Sequence, residues 1–215
     1  MEKIIAQGAE ALLIRKGNQI IKKRISKGYR HPLLDNQLRA RRTRSEGKII
    51  AKINSLINTP RILKIDEENK QIVMEFIQGE VLSNSLDNFE MPKALGICRL
   101  IGENIAIIHN EGIIHGDLTT SNMIFHENKG EFDKEKHRFS LFFIDFGLAF
   151  HSLRIEDKAV DLHLLRQAFE SKHFERWQDY FNEAIESYKT KSADSIKVLQ
   201  QLKKVEARGR YKGKH

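Results

Sequence analysis

The sequence predicts an α+β chain in two parts, a small antiparallel sheet with one main helix followed by a minimal helical region. Three observations predict it. Short β-branched runs separated by turn signals fill residues 3–25 and 61–77. Beyond Gly79 the apolar residues recur at helical spacing, as in Leu95, Cys98, Ile101, Ile105 and Ile108. Inside that second part lie two polar interruptions, GIIHGDLTTSNMI at 112–124 and LFFIDFGLAF at 141–150.

The first strands are expected around Ile4-Ile5, Leu12-Leu13-Ile14 and Gln19 to Lys23, with Gly17-Asn18 as a reverse turn. Gly8 stands between the first two strands, where backbone N–H groups could face phosphates. A helix is expected from Asp35, read as its N-cap, to about Ile57. Its apolar stripe is Ile49, Ile50, Ile53 and Ile57, and Glu46 falls on the same face. A carboxylate on a core face needs a cation, because burying it unpaired is costly. Lys22 is the expected partner, with Lys23 as the alternative. The arginines from 39 to 44 read as a solvated surface or a phosphate contact. A second hairpin follows, Arg61–Ile65 with Gln71–Phe76 around the polar turn 66–69. At its end Glu75 and Ile77 mark the strand end at which the pattern changes to helices, and the first domain is set at residues 1–78.

The second domain is set at 79–206. A helix over 93–110 is closed by Gly112. Asp117 then sits on a tight loop, Asn122 follows five residues later, and Asp145 ends an apolar strand before Phe146-Gly147. This order suits phosphoryl transfer. One carboxylate orients or accepts the proton of an attacking hydroxyl, and the carboxamide and the second carboxylate ligate Mg²⁺. The linker 127–138 reads as a protruding charged loop. Three more helices are expected, with stripes Leu162/Leu165/Phe169, Phe174/Trp177/Phe181/Ile185 and Ile196/Leu199/Leu202/Val205. The stretch from Lys203 to His215 is basic and is expected to be unfolded when free, with 207–215 as a C-terminal tail.

Composition bounds the rest. The chain has 215 residues, 37 Lys or Arg against 29 Asp or Glu, and a net charge of +8, which favours an acidic partner such as nucleic acid. There is no apolar run of membrane-span length and no signal-peptide core at the N-terminus, so a cytoplasmic location is expected. The single cysteine, Cys98, cannot form an internal disulfide.

The segments IIKKRISKGYRHPLLD, RTRSEGKI, IIHGDLTTSNMI, IDFGLAF and EDKAVDLHLL, with the basic RGR tail, resemble the small PRPK-type kinases of the KEOPS complex. The resemblance covers nearly the whole chain and implies a two-lobed protein-kinase-like fold without an activation segment. It implies an atypical serine/threonine kinase or Mg-ATPase that uses ATP and Mg²⁺ and supports threonylcarbamoyladenosine formation at tRNA position 37. Carried onto this chain, Lys22 and Glu46 form the ion pair, and Glu75 and Ile77 meet adenine. Asp117 is the catalytic carboxylate, Asn122 and Asp145 hold Mg²⁺, and Asp161 anchors the loop. The implied partners are a threonylcarbamoyl-transferase subunit, a small regulatory subunit, and tRNA through the basic surface and tail.

Departures from ordinary protein kinases narrow the reading. Gly116 replaces the arginine that grips a phosphorylated activation loop, Thr119 replaces a lysine, and no A-P-E follows Gly147. A RIO-like serine kinase is the nearest alternative, but it calls for a serine- and glycine-rich phosphate loop. A small-molecule phosphotransferase calls for a longer insertion in the second part. A noncatalytic RNA-binding scaffold would have no need of Lys22, Glu46, Asp117, Asn122 and Asp145 together.

Overall fold

The computed structural model describes residues 2–8, 10–128 and 139–210, with the side chains of Gly209 and Arg210 excepted. Contacts within the chain divide it into two compact units, Met1–Ser55 with Thr59–Gln78, and Leu56–Asn58 with Gly79–His215.

The first unit is a five-stranded antiparallel sheet with one long helix. Its strands are β1 (Glu2–Gln7), β2 (Ala11–Lys16), β3 (Gln19–Arg24), β4 (Ile62–Asp66) and β5 (Gln71–Glu75), in the spatial order β1-β2-β3-β5-β4. Gly17 turns β2 into β3 with φ of 59°, a left-handed conformation that costs glycine little. The helix α1 (Pro32–Ile53) crosses from β3 to β4. Its start is set by Pro32 at the first turn and by extended backbone at His31, three residues before the expected cap. Asp35 therefore lies inside the first turn. It is buried and accepts hydrogen bonds from Ser26 Oγ at 3.1 Å and Arg39 Nε at 2.6 Å. Ile49, Ile50 and Ile53 seal the inner face. Gly47 gives the close approach to β4, since a Cβ there would sit 2.5 Å from Ile65 Cδ1.

The second unit is mostly helical. A two-residue strand β6 (Glu80–Val81) leads to the short helix α2 (Leu82–Ser85), a 3₁₀ turn at Leu86–Asn88, and α3 (Met91–Asn110). The strands β7 (Ile113–Ile114), β8 (Met123–Glu127), β9 (Phe139–Phe143) and β10 (Phe150–His151) form two small sheets. One has the order β6-β8-β9 and the other pairs β10 with β7. Helices α4 (Ile155–Lys172), α5 (Trp177–Lys191) and α6 (Ser195–Arg210) complete the chain. α3 packs on α5 at Gly102, where any Cβ would overlap the Ala184 carbonyl oxygen.

Two helix faces differ from the expected stripes. α5 begins at Trp177, so Phe174 precedes it and is 74% exposed. The buried face is Tyr180, Phe181, Ala184 and Tyr188. In α6 the buried apolar residues are Val198 and Leu202, while Ile196 points outward. The expected unfolded stretch is also helical as far as Arg210. Its helix is held by Arg166–Glu206 at 2.6 Å, Arg208–Glu156 at 2.6 Å and a hydrogen bond from Gln201 to Glu156. Residues 211–215 of the basic tail and most of the expected charged linker lie outside the described residues.

Candidate phosphoryl-transfer site

In the first unit the geometry centres on Glu46. α1 carries its carboxylate to the face of β3, where successive side chains alternate and Lys22 and Arg24 point the same way. Lys22 Nζ donates to Oε1 at 2.6 Å and Arg24 Nη2 donates to Oε2 at 2.5 Å. All three side chains are buried, so the carboxylate is neutralised twice in a place where water cannot do it. Lys23, the alternative lysine, has its side chain on the opposite face of the strand. Arg24 is not marked out by sequence, since it opens a basic run. Its i+2 relation to Lys22 on one strand is the signal that could have found it.

The other arginines of α1 are largely committed to carboxylates. Arg42 pairs with Glu10, Arg39 with Asp35 and Arg44 with Glu67. Gly8 donates its N–H to the Ala11 carbonyl at 2.9 Å, so that group closes the turn instead of facing a phosphate. Glu75 ends β5, paired opposite Gln19, and its side chain accepts from the Arg61 N–H at 2.9 Å. Ile77 follows in non-repetitive chain.

In the second unit the structure brings together His115, Asp117, Asn122, Asp145 and Asp161. Asp161, buried in α4, accepts from the backbone N–H groups of His115 at 2.8 Å and Gly116 at 2.9 Å. It also meets His109 Nε2 at 3.1 Å, and His109 Nδ1 meets the Tyr188 hydroxyl at 3.1 Å. Gly116 has φ of 77°, and a Cβ there would lie 2.6 Å from the Leu148 carbonyl oxygen. The glycine is thus required by the backbone, whatever it means for an activation loop.

The His115 ring links the two motifs. Nδ1 accepts from the Asp117 N–H at 3.3 Å, and Nε2 faces the Ile144 carbonyl at 3.2 Å. That set of partners calls for the neutral tautomer with its hydrogen on Nε2. Burial pushes the pKa of the imidazole below its ordinary value, against the opposing pull of Asp161 and the Ile144 carbonyl.

Asn122 closes the 3₁₀ turn Thr120–Asn122 and spends its amide nitrogen on Asp117, donating to the carbonyl at 2.9 Å and to Oδ2 at 2.8 Å. Its Oδ1, an acceptor, is therefore turned the other way, as a hard cation requires. The Ile144 N–H donates to the Asn122 carbonyl at 2.9 Å, which ties the residue before Asp145 to the carboxamide. Asp145 itself has φ of 59° although it is not glycine, and its Oδ1 accepts from the Gly147 N–H at 3.1 Å. A non-glycine residue held there is strained, and such strain persists where the surroundings over-determine it. The donor set, a carboxamide oxygen and a carboxylate from adjoining strands, fits Mg²⁺.

Comparison with known proteins agrees with this geometry. The protein kinase domain family matches residues 8–206. The KEOPS complex subunit Bud32 of Pyrococcus abyssi is 38% identical, over 98% of this chain and 96% of its own length. A probable bifunctional tRNA threonylcarbamoyladenosine biosynthesis protein of Methanococcus vannielii is 39% identical over 97% of this chain, which spans only 36% of that relative. Among solved structures, the Rio2 kinase of Chaetomium thermophilum in its ADP/Mg²⁺-phosphoaspartate complex superposes with a TM-score of 0.59 at 14% identity, covering 98% of this chain and 70% of that one.

Two outcomes follow from this geometry. Lys22→Met leaves Glu46 paired with Arg24, and Arg24→Met leaves it paired with Lys22, so each single change costs less stability than a stranded buried charge. The double variant strands it and costs about 3–5 kcal/mol, more than the two single losses together. Chemical denaturation of the four proteins reads this as a non-additive cycle, and additive losses would contradict it. For His115, a lowered folded-state pKa means that the unfolded chain takes up a proton that the folded chain refuses once the pH falls below about 6.5. The stabilisation is complete above that pH and is lost as the pH falls toward the folded value. A proton NMR titration should find the ring still neutral at about pH 6.5, the ordinary histidine value, and a titration at or above that value would contradict the assignment.

Proposed function

The chain belongs to the protein kinase family and, within it, to the Bud32 kinases; from that premise we propose that it is the kinase subunit of a KEOPS-type complex. In this reading it is an atypical serine/threonine kinase or Mg-ATPase supporting threonylcarbamoyladenosine formation on tRNA. The observation that carries the reading is the arrangement of Asp117, Asn122 and Asp145 about the neutral His115 ring.

Bound as its Mg²⁺ salt, ATP supplies the transferable phosphoryl group. Glu46 and Arg24 fix the Lys22 ammonium as a phosphate ligand in the first unit. The Glu75 carbonyl and the Ile77 N–H are assigned to adenine, and Gly8 contributes chain rather than a free N–H. Asn122 Oδ1 and the Asp145 carboxylate hold Mg²⁺. Asp117 orients the attacking hydroxyl or water and accepts its proton, and the bond from Asn122 Nδ2 to Oδ2 fixes the plane of that carboxylate. His115 keeps the two segments in register without changing charge near neutral pH.

The short stretch after Gly147 speaks against control by an activating phosphate. β10 pairs with β7 within a few residues, and the Ser152 hydroxyl is engaged by Asp157 at 2.6 Å. Phosphorylation of a platform-bound peptide is therefore less favoured than ATP hydrolysis or autophosphorylation within a complex. Among the described residues no helix is long and apolar enough to cross a membrane, and we assign the protein to the cytoplasm.

The partners are a transferase subunit, a small regulatory subunit and tRNA. Charge supports the last. Residues 1–55 and 59–78 hold 17 Lys or Arg against 8 Asp or Glu, so the first unit accounts for the whole positive excess of the chain. The end of the chain adds Lys203, Lys204, Arg208, Arg210, Lys212 and Lys214.

Asp145→Ala should lower Mg²⁺-dependent ATP turnover by about a hundredfold or more, as expected for one missing ligand of the developing charge, with the fold retained. Unchanged turnover in the folded variant would remove Asp145 from the site. Deleting residues 207–215 should weaken tRNA binding and make the plot of log affinity against log salt shallower, by about 0.7–0.9 for each phosphate that is no longer neutralised. Filter binding across a salt series measures this, and identical curves would shift the tRNA-binding surface to the first unit.

A further inference from the structure

A second polar chain runs under the same loop. His173 follows the last turn of α4 and is 2% exposed. Its Nδ1 lies 2.7 Å from Asp87 Oδ2, and its Nε2 lies 3.1 Å from Thr120 Oγ1. Asp87 comes from the 3₁₀ turn before α3, and its side chain is about half exposed. Thr120 is fully buried and opens the turn that ends in Asn122. No part of the phosphoryl-transfer reading uses these three residues.

The roles of the atoms follow from what each can do. An ionised carboxylate only accepts, so the ring hydrogen facing Asp87 is on Nδ1. In the neutral ring Nε2 is then an acceptor, and the Thr120 hydroxyl donates to it. The array has the order of a hydroxyl, an imidazole and a carboxylate, but Thr120 is sealed from solvent and cannot serve as a nucleophile. What it can do is fix a conformation. A buried hydroxyl deprived of its partner pays a desolvation cost, so the Thr120 side chain is held to the one orientation that reaches His173. The backbone it belongs to continues directly into Asn122, whose N–H donates to the Thr119 carbonyl at 3.0 Å.

We propose that Asp87 and His173 are positioning residues for phosphoryl transfer, which hold Thr120 and through it set the turn that presents the Asn122 carboxamide. The proposal rests on the assignment of Asn122 as a metal ligand. A positioning residue acts before any ligand is present, so its effect can be read in the nucleotide-free protein. The relevant amides are those of Asn122 and Ile144, which donate to the Thr119 and Asn122 carbonyls.

The test compares Thr120→Val, which keeps the shape and loses the hydroxyl, with Thr120→Ser, which keeps the hydroxyl. Asp87→Asn, at a half-exposed position, is a third variant that does not threaten the fold. Hydrogen exchange on the full chain without nucleotide should be faster by about fivefold at Asn122 and Ile144 in Thr120→Val, on the scale of one broken buried hydrogen bond. Amides in the middle of α3 should be unchanged, and Thr120→Ser should restore the wild-type rates. In ATP turnover, Thr120→Val and Asp87→Asn should raise the Mg²⁺ concentration needed for half-maximal rate several-fold, again with rescue by serine. Unchanged exchange at Asn122 and Ile144 in folded Thr120→Val overturns the proposal, as does an equal rise across all amides of the unit, which is general destabilisation. If the wild-type chain shows no Mg²⁺-dependent turnover, the assigned function fails, and the exchange experiment still decides the positioning.

Discussion

The Glu46 carboxylate has almost no water around it and two cations instead. Taking one charge out of water costs several kcal/mol in real proteins, and the cost is met only when the remaining lone pairs find donors. Here Oε1 and Oε2 have one each, from Lys22 and Arg24 on a single strand. Helix α1 can therefore dock in one rotational setting, because turning it would strand the carboxylate in apolar surroundings. Glu10 extends the same logic outward, with Arg24 on one side and Arg42 of α1 on the other. The position of the helix and the position of the phosphate-directed lysine are one constraint.

The second unit solves a similar problem with a carboxylate facing backbone. Asp161 satisfies the N–H groups of His115 and Gly116, two donors on a loop where no strand partner is available. The loop is then rigid enough to hold Asp117, and the neutral His115 ring carries that rigidity to Ile144 and so to the strained Asp145. A charged imidazole could not do this, since Nδ1 would lose its acceptor role toward Asp117. Shape in this unit is set by acceptors buried at the ends of helices and by one ring whose protonation state is fixed by its surroundings.

Much of this is legible in the sequence because the chemistry is local. The spacing from Asp117 to Asn122 and the Asp145-Phe146-Gly147 triplet are short-range patterns, and the Lys22–Glu46 pair follows from one carboxylate on an apolar helix face. Arg24 escapes because a basic residue in a basic run looks solvated, and its burial depends on a helix residue 22 positions away in the chain. The α5 stripe is displaced because tyrosine can be core as well as surface. Tyr180 and Tyr188 are fully buried, whereas Phe174 lies before the helix begins. The helical continuation to Arg210 rests on pairs with Glu156 and Arg166 in α4, which composition alone cannot reveal. Asp87, His173 and Thr120 are far apart in sequence and carry no motif, so only the folded chain brings them together.

Gly102 lies where α3 and α5 touch backbone to backbone, with the Ala184 carbonyl occupying the space of any side chain. The same helix ends near His109, whose ring is held between Tyr188 of α5 and Asp161. Close approach at one end and the polar bridge at the other thus belong to the same pair of helices. In evolutionary terms the position is closed to drift: every other amino acid would wedge the helices apart and carry His109 away from Asp161. Variation in descendants of this chain is channelled instead toward the solvent face of α6 and the outer strand β1, where no buried acceptor waits for a partner.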